Sequence, residues 1–212
     1  MAIAASPVDI CNLASDMIGG DTVADIENPT TDAEKVFSRH YDTVRRETLR
    51  EYIPNFAKRR AAIDRLVTTV VTDFTDAYQL PSDFIRLLSI GGDIEEDQLE
   101  PSRYDLADSM ILTNNYNENA LEIRYIADIT DVVKWDSQFV SLCVKRLALA
   151  TAMQITADPK IVQLIQAQID KATPTVYGVD SQEKPPTIIN RSPILEKRRG
   201  YGRYDRDNRY LR

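Results

Sequence analysis

Apolar residues recur at helical spacing near both ends of the chain and alternate with polar ones in the middle. SPVDICNLASDMIGG reads as a short helix. Ser6 is placed to cap it, Pro7 suits its first turn, Asp9 falls three residues after the cap, and Gly19-Gly20 stops it. A longer helix is predicted in TDAEKVFSRHYDTVRRETLREYIP. Thr31 and Glu34 have capping-box spacing, Val36, Phe37, Tyr41, Val44 and Thr48 keep the helical period, and Pro54 ends the run. NFAKRRAAIDRL reads as a further short helix.

The period then changes. AYQLPSDFIRLLSIGG is extended on both sides of a Pro81-Ser82-Asp83 turn, with Gly91-Gly92 as a break. SMILT and ALEIRYIA are strand-like, and NNYNEN between them is a hairpin-type loop signal. Helical spacing returns in DSQFVSLCVKRLALATAMQIT. Phe139, Val140, Cys143, Val144 and Leu147 leave few polar faces, the mark of a central helix. Asp158-Pro159 then opens KIVQLIQAQIDKA, with Ile161, Leu164, Ile165 and Ile169 on a stripe. The fold expected is mainly α: an antiparallel helical bundle over residues 1–178 with a small antiparallel β insertion at about 77–127. From residue 179 onward, Pro185, Pro186, Pro193 and many charges predict an extended C-terminal arm, disordered until it docks.

Composition sharpens the picture at that arm. The 212 residues are 43% hydrophobic and 28% charged, enough for a core. Residues 191–212 hold eight basic and three acidic side chains, a net +5, which leaves −12 on residues 1–190 of a chain whose total is −7. A basic tail on an acidic body predicts a tail that binds something else. Its candidate contact residues are the apolar Ile188, Ile189, Ile194 and Leu195, followed by Arg198, Arg199, Tyr201, Arg203, Tyr204, Arg206, Arg209 and Tyr210.

Little else carries chemistry. Cys11 and Cys143 sit among apolar residues and are expected as buried free thiols. His40, the single histidine, has no nucleophile signature around it and is read as structural. The acidic run DIEEDQLE lacks EF-hand spacing and is read as a solvated loop. Phosphate-loop, dinucleotide and CxxC patterns are absent, as are an apolar run of membrane-spanning length and a recognisable signal peptide. An enzyme is not expected, nor is a metal or cofactor. Synthesis in a reducing cytoplasm is.

NFAKRR, YQLPSDFIRL and IRYIAD…WDSQF, in that order along residues 8–175, resemble the head-to-tail adaptor proteins of short-tailed phages, also called tail tubular protein A. The resemblance implies a structural virion protein and no catalysis. Twelve copies would form a ring between the portal protein and the tail nozzle protein, with double-stranded DNA crossing the channel without sequence-specific contact. The basic arm lies outside the shared stretches. Its docking on the portal is expected from its composition, with nucleic-acid binding by its Arg and Tyr residues as the alternative. Free protein is expected to be largely monomeric.

Overall fold

The computed structural model describes residues 4–66, 74–90, 94–95, 104–114 and 120–182, without the side chains of 94–95 and 173–182. Among these residues the elements run in the order α1 (Pro7–Ile18), α2 (Asp32–Tyr52), β1 (Lys58–Asp64), β2 (Asp76–Gln79), β3 (Phe84–Ile90), β4 (Ile94–Glu95), β5 (Tyr104–Ala107), β6 (Met110–Thr113), β7 (Ala120–Ala127), α3 (Ser137–Ile155) and α4 (Pro159–Gln182).

Both predicted capping boxes form. Ser6 accepts from Asp9 N–H while the Asp9 carboxylate takes Ser6 N–H, and Thr31 and Glu34 do the same at the start of α2. Gly19 ends α1 in the left-handed region, at φ 70°. Glu34 does more than cap. Its carboxylate accepts from the N–H groups of Thr31 and Thr30 at 2.8 Å each, from Ala24 N–H at 3.1 Å and from Thr30 Oγ1 at 2.9 Å. These bonds, the Thr31 one foremost, hold its carboxyl well below the usual carboxylate range. Asn12 grips the same connection from α1, exchanging two hydrogen bonds with the backbone of Val23.

A pH dependence follows from Glu34. The folded state binds its proton less readily than the unfolded chain, so its stabilisation is complete above the ordinary glutamate value and is lost progressively as pH falls from there toward the lowered folded-state value. The wild type should therefore lose more stability than Glu34→Gln between about pH 5 and pH 2. Urea midpoints measured across that range would show the two proteins converging on acidification. A gap independent of pH would refute the assignment.

The mainly α expectation is overturned: the chain is a mixed α/β fold. Strands β1, β7, β3 and β4, in that order, make one antiparallel sheet, and β2, β6 and β5 make a second. The largest departure is NFAKRRAAID. Asn55–Ala57 is a single 3-10 turn, and Lys58–Asp64 is a strand pairing with β7 from Lys58↔Ile126 to Asp64↔Ala120. The partner lies some 60 residues downstream, so hydrogen bonds formed at long range override the local helical propensity of Lys, Arg and Ala. The β region thus begins near residue 58 rather than 77.

SMILT and ALEIRYIA are strands, but not a hairpin with each other, since β6 and β7 lie in different sheets. The hairpin joins β5 to β6 through Asp108-Ser109, both at positive φ (49° and 60°). That primed turn suits strand twist, and its Asp-Ser pair lacks the glycine that would have announced it. Two positions join the sheets beyond β1, where Arg65 bridges Tyr78 and Leu66 N–H donates to Ala77 O at 2.8 Å.

Helix α3 is central, packing against α1, α2 and α4 and burying Phe139, Val140, Leu142, Cys143, Val144 and Leu147. One buried apolar cluster runs from these residues into Leu87, Ile90, Ile123 and Ile126 of the sheet. In α4, Ile165 and Ile169 are buried, whereas Leu164 faces outward. Its backbone remains helical through Gly178 to Gln182, four residues beyond the expected boundary.

Candidate functional site

Residues 188–210, which hold every candidate contact residue of the arm, lie outside the described residues, as does most of DIEEDQLE. What the structure does place are the three sequence stretches that stood out for their resemblance, and they meet at two points.

At the first, α2 faces the adjoining ends of β7 and β3. Arg45, buried inside the helix face, donates to both carboxylate oxygens of Asp128, and its second partner Asp42 lies at 3.1 Å. Arg46 Nε adds a bond to Asp128 at 2.9 Å. Burial alone would lower the Arg45 pKa. Asp128, and then Asp42, more than reverse this, so the guanidinium is held charged. Asp128 N–H donates to Asp83 O at 2.7 Å, and the Asp83 carboxylate takes Arg59 at 2.7 Å and the Tyr125 hydroxyl at 3.0 Å. Arg59 comes from NFAKRR, Asp83 from YQLPSDFIRL, and Tyr125 and Asp128 from IRYIAD. The polar letters of these stretches, joined by Arg45 and Arg46 of α2, form one ion-pair and hydrogen-bond network that locks helix to sheet.

The second meeting point is aromatic. Phe139, fully buried, packs edge-on to Phe56 (ring centroids 5.1 Å apart) and to Trp135 (5.0 Å), and nearly parallel to Tyr52 (6.2 Å). Trp135 Nε1 donates to Ile129 O at 3.0 Å, which satisfies the indole in a buried setting. WDSQF and NFAKRR thus share a core.

Beside the ionic network lies a groove of about 280 Å³ lined by Arg46, Glu47, Arg50, Ser82, Phe84, Ile85 and Asp128. Its arginines are already engaged: Arg50 donates to Ile85 O at 3.2 Å and Arg46 holds Asp128. The groove is a seam between helix and sheet and offers no catalytic set. His40 Nε2 lies 3.0 Å from Gln154 Nε2, a hydrogen-bond contact that ties α2 to α3. Cys11 and Cys143 are buried free thiols, both pushed up to about 12 by burial, so neither is a ready thiolate at neutral pH. No cluster of three or more metal-ligating side chains occurs among the described residues, and no helix there is long and apolar enough to cross a membrane.

No family model matches the chain, and no curated protein matches it in sequence. Asp83, Tyr125 and Asp128 carry no spacing signal, because their partners lie on other elements up to 83 residues away.

Proposed function

We propose that this chain is a structural head-to-tail adaptor of a short-tailed phage, ringing the DNA channel between portal and tail nozzle. One observation carries the reading: the stretches that resemble that family are the ones that meet as the ionic lock and the aromatic core, so the resemblance follows the framework of the fold. Two further features agree with it. The net −12 of residues 1–190 would repel phosphate and let DNA slide through a channel. Helix α4 ends at Gln182, with eight residues between it and the +5 segment 191–212 in sequence, so each subunit of a ring would carry one arm available to the portal.

In this reading the arm docks on portal subunits. Ile188, Ile189, Ile194 and Leu195 fill apolar grooves, the arginines pair with carboxylates, and the tyrosines act as rigid anchors. Many weak arms acting together hold two rings that share little flat surface.

Cutting the chain after Gln182, where α4 ends, tests the proposal. The truncated protein should fold with unchanged thermal stability, yet bind purified portal rings at least ~100-fold more weakly than the full chain. Equal affinity would sink the arm hypothesis. The Arg and Tyr content also favours nucleic acid as the arm's target. In that case the full chain would bind free duplex DNA with a steep log–log salt dependence that the truncation abolishes.

A further inference from the structure

Arg60 of β1 lies directly opposite Arg124 of β7 in the strand register, so the two side chains share one face of the four-stranded sheet. The alternating positions Ile63, Leu121, Ile123 and Tyr125 are buried on the other face, whereas Arg60, Ala62 and Glu122 are exposed and Arg124 is partly buried. Like charges directly opposite each other weaken a strand pair. Here nothing offsets them, since neither guanidinium has an ion pair or hydrogen bond among the described residues. Partial burial of Arg124 adds to the cost of its uncompensated charge.

The neighbours in register supply no counter-charge. On β3 the next place in the row is Ser89, whose buried hydroxyl makes no hydrogen bond among the described residues and so takes none from Arg124. Glu95 of β4 comes after it, two strands from Arg124, or roughly 10 Å by ordinary strand spacing. Glu122 stands opposite Ala62 and pairs with neither arginine. Arg60 and Arg124 line an open groove of about 220 Å³ with Ala61, Ala62, Glu122 and Ile123.

We propose that this groove binds a phosphate group, held between Arg60 and Arg124. A planar carboxylate has two oxygens and is saturated by one guanidinium fork, whereas a tetrahedral phosphate offers oxygen edges to two forks at once. The bound anion turns an unfavourable cross-strand pair into a ligand set. With Glu122, the charged side chains of the lining sum to +1, which suits a phosphodiester as well as free phosphate. Two sources carry that chemistry: inorganic phosphate and the backbone of duplex DNA.

Thermal unfolding of the full-length protein tests the site. For roughly millimolar affinity, about 10 mM phosphate should raise Tm by roughly 3 °C over sodium chloride of equal ionic strength. Acetate should raise it by less than about 1 °C. Arg60→Gln and Arg124→Gln should each remove most of the phosphate shift. Each should melt no lower than the wild type in chloride, because each ends the like-charge opposition. Glu122→Gln should enlarge the shift by removing a carboxylate that repels the ligand. The terminal arginines are common to all these proteins and cancel in the comparison. No shift in the wild type, an equal shift in acetate, or a shift that survives both arginine substitutions would overturn the proposal. Fluorescence anisotropy with a duplex of about 20 base pairs separates the two sources. If the backbone is the ligand, the double variant Arg60→Gln, Arg124→Gln should flatten the log–log salt dependence by about one phosphate contact. An unchanged slope beside a lost phosphate shift assigns the groove to free phosphate. Neither measurement involves a portal, so the site stands or falls apart from the adaptor reading.

Discussion

Asp128→Ala is expected to destabilise the fold by about 3–5 kcal/mol. The Arg45 side chain is only 3% exposed, and Asp128, at 11%, supplies the counter-charge that makes its burial tolerable. Without Asp128, the guanidinium keeps only Asp42, a carboxylate that is 76% exposed and well screened by water. The substitution also frees Arg46, but that side chain is 65% exposed, so Arg46→Ala should cost less than about 1 kcal/mol. Urea denaturation of the three proteins separates the cases. The double variant Arg45→Met with Asp128→Leu should lose less than Asp128→Ala alone, because it buries no unpaired charge. A loss below about 1 kcal/mol for Asp128→Ala would mean that the lock contributes little.

Phe139→Ala should cost a comparable amount, about 3–5 kcal/mol, through a different mechanism. Phe139 is fully buried at the place where α2, the Asn55–Ala57 turn and the segment before α3 converge, and three aromatic rings touch it. Truncation would leave a cavity that the rings of Tyr52, Phe56 and Trp135 cannot collapse to fill, since Trp135 is also held by its bond to Ile129 O. Phe139→Leu keeps most of the volume and should cost about 1.5 kcal/mol. Trp135 fluorescence reports the change directly: a red shift in the folded state of Phe139→Ala would show water reaching the indole. An unchanged spectrum together with a loss under about 1 kcal/mol would place the core elsewhere.

By itself the sequence determined the four α-helices of the described residues and most of their ends, while wrongly reading NFAKRRAAIDRL as a fifth. Capping boxes at Ser6–Asp9 and Thr31–Glu34, the stops at Gly19 and Pro54, and the Asp158-Pro159 start act within a few residues, so their physics is written locally. The same holds for the central character of α3 and the burial of both cysteines. It also marked extended structure around Pro81-Ser82-Asp83 and in MILT and ALEIRYIA. Tertiary structure alone decided how those strands pair. A lysine- and arginine-rich run became β1 because β7 offered it backbone partners, and β6 and β7, neighbours in sequence, were dealt to different sheets. It also decided that Asp83, Tyr125 and Asp128 belong to one network with Arg45 and Arg59. An ion pair between residues 83 positions apart leaves no periodicity in the chain, because its free energy depends on a burial and a distance that exist only after folding.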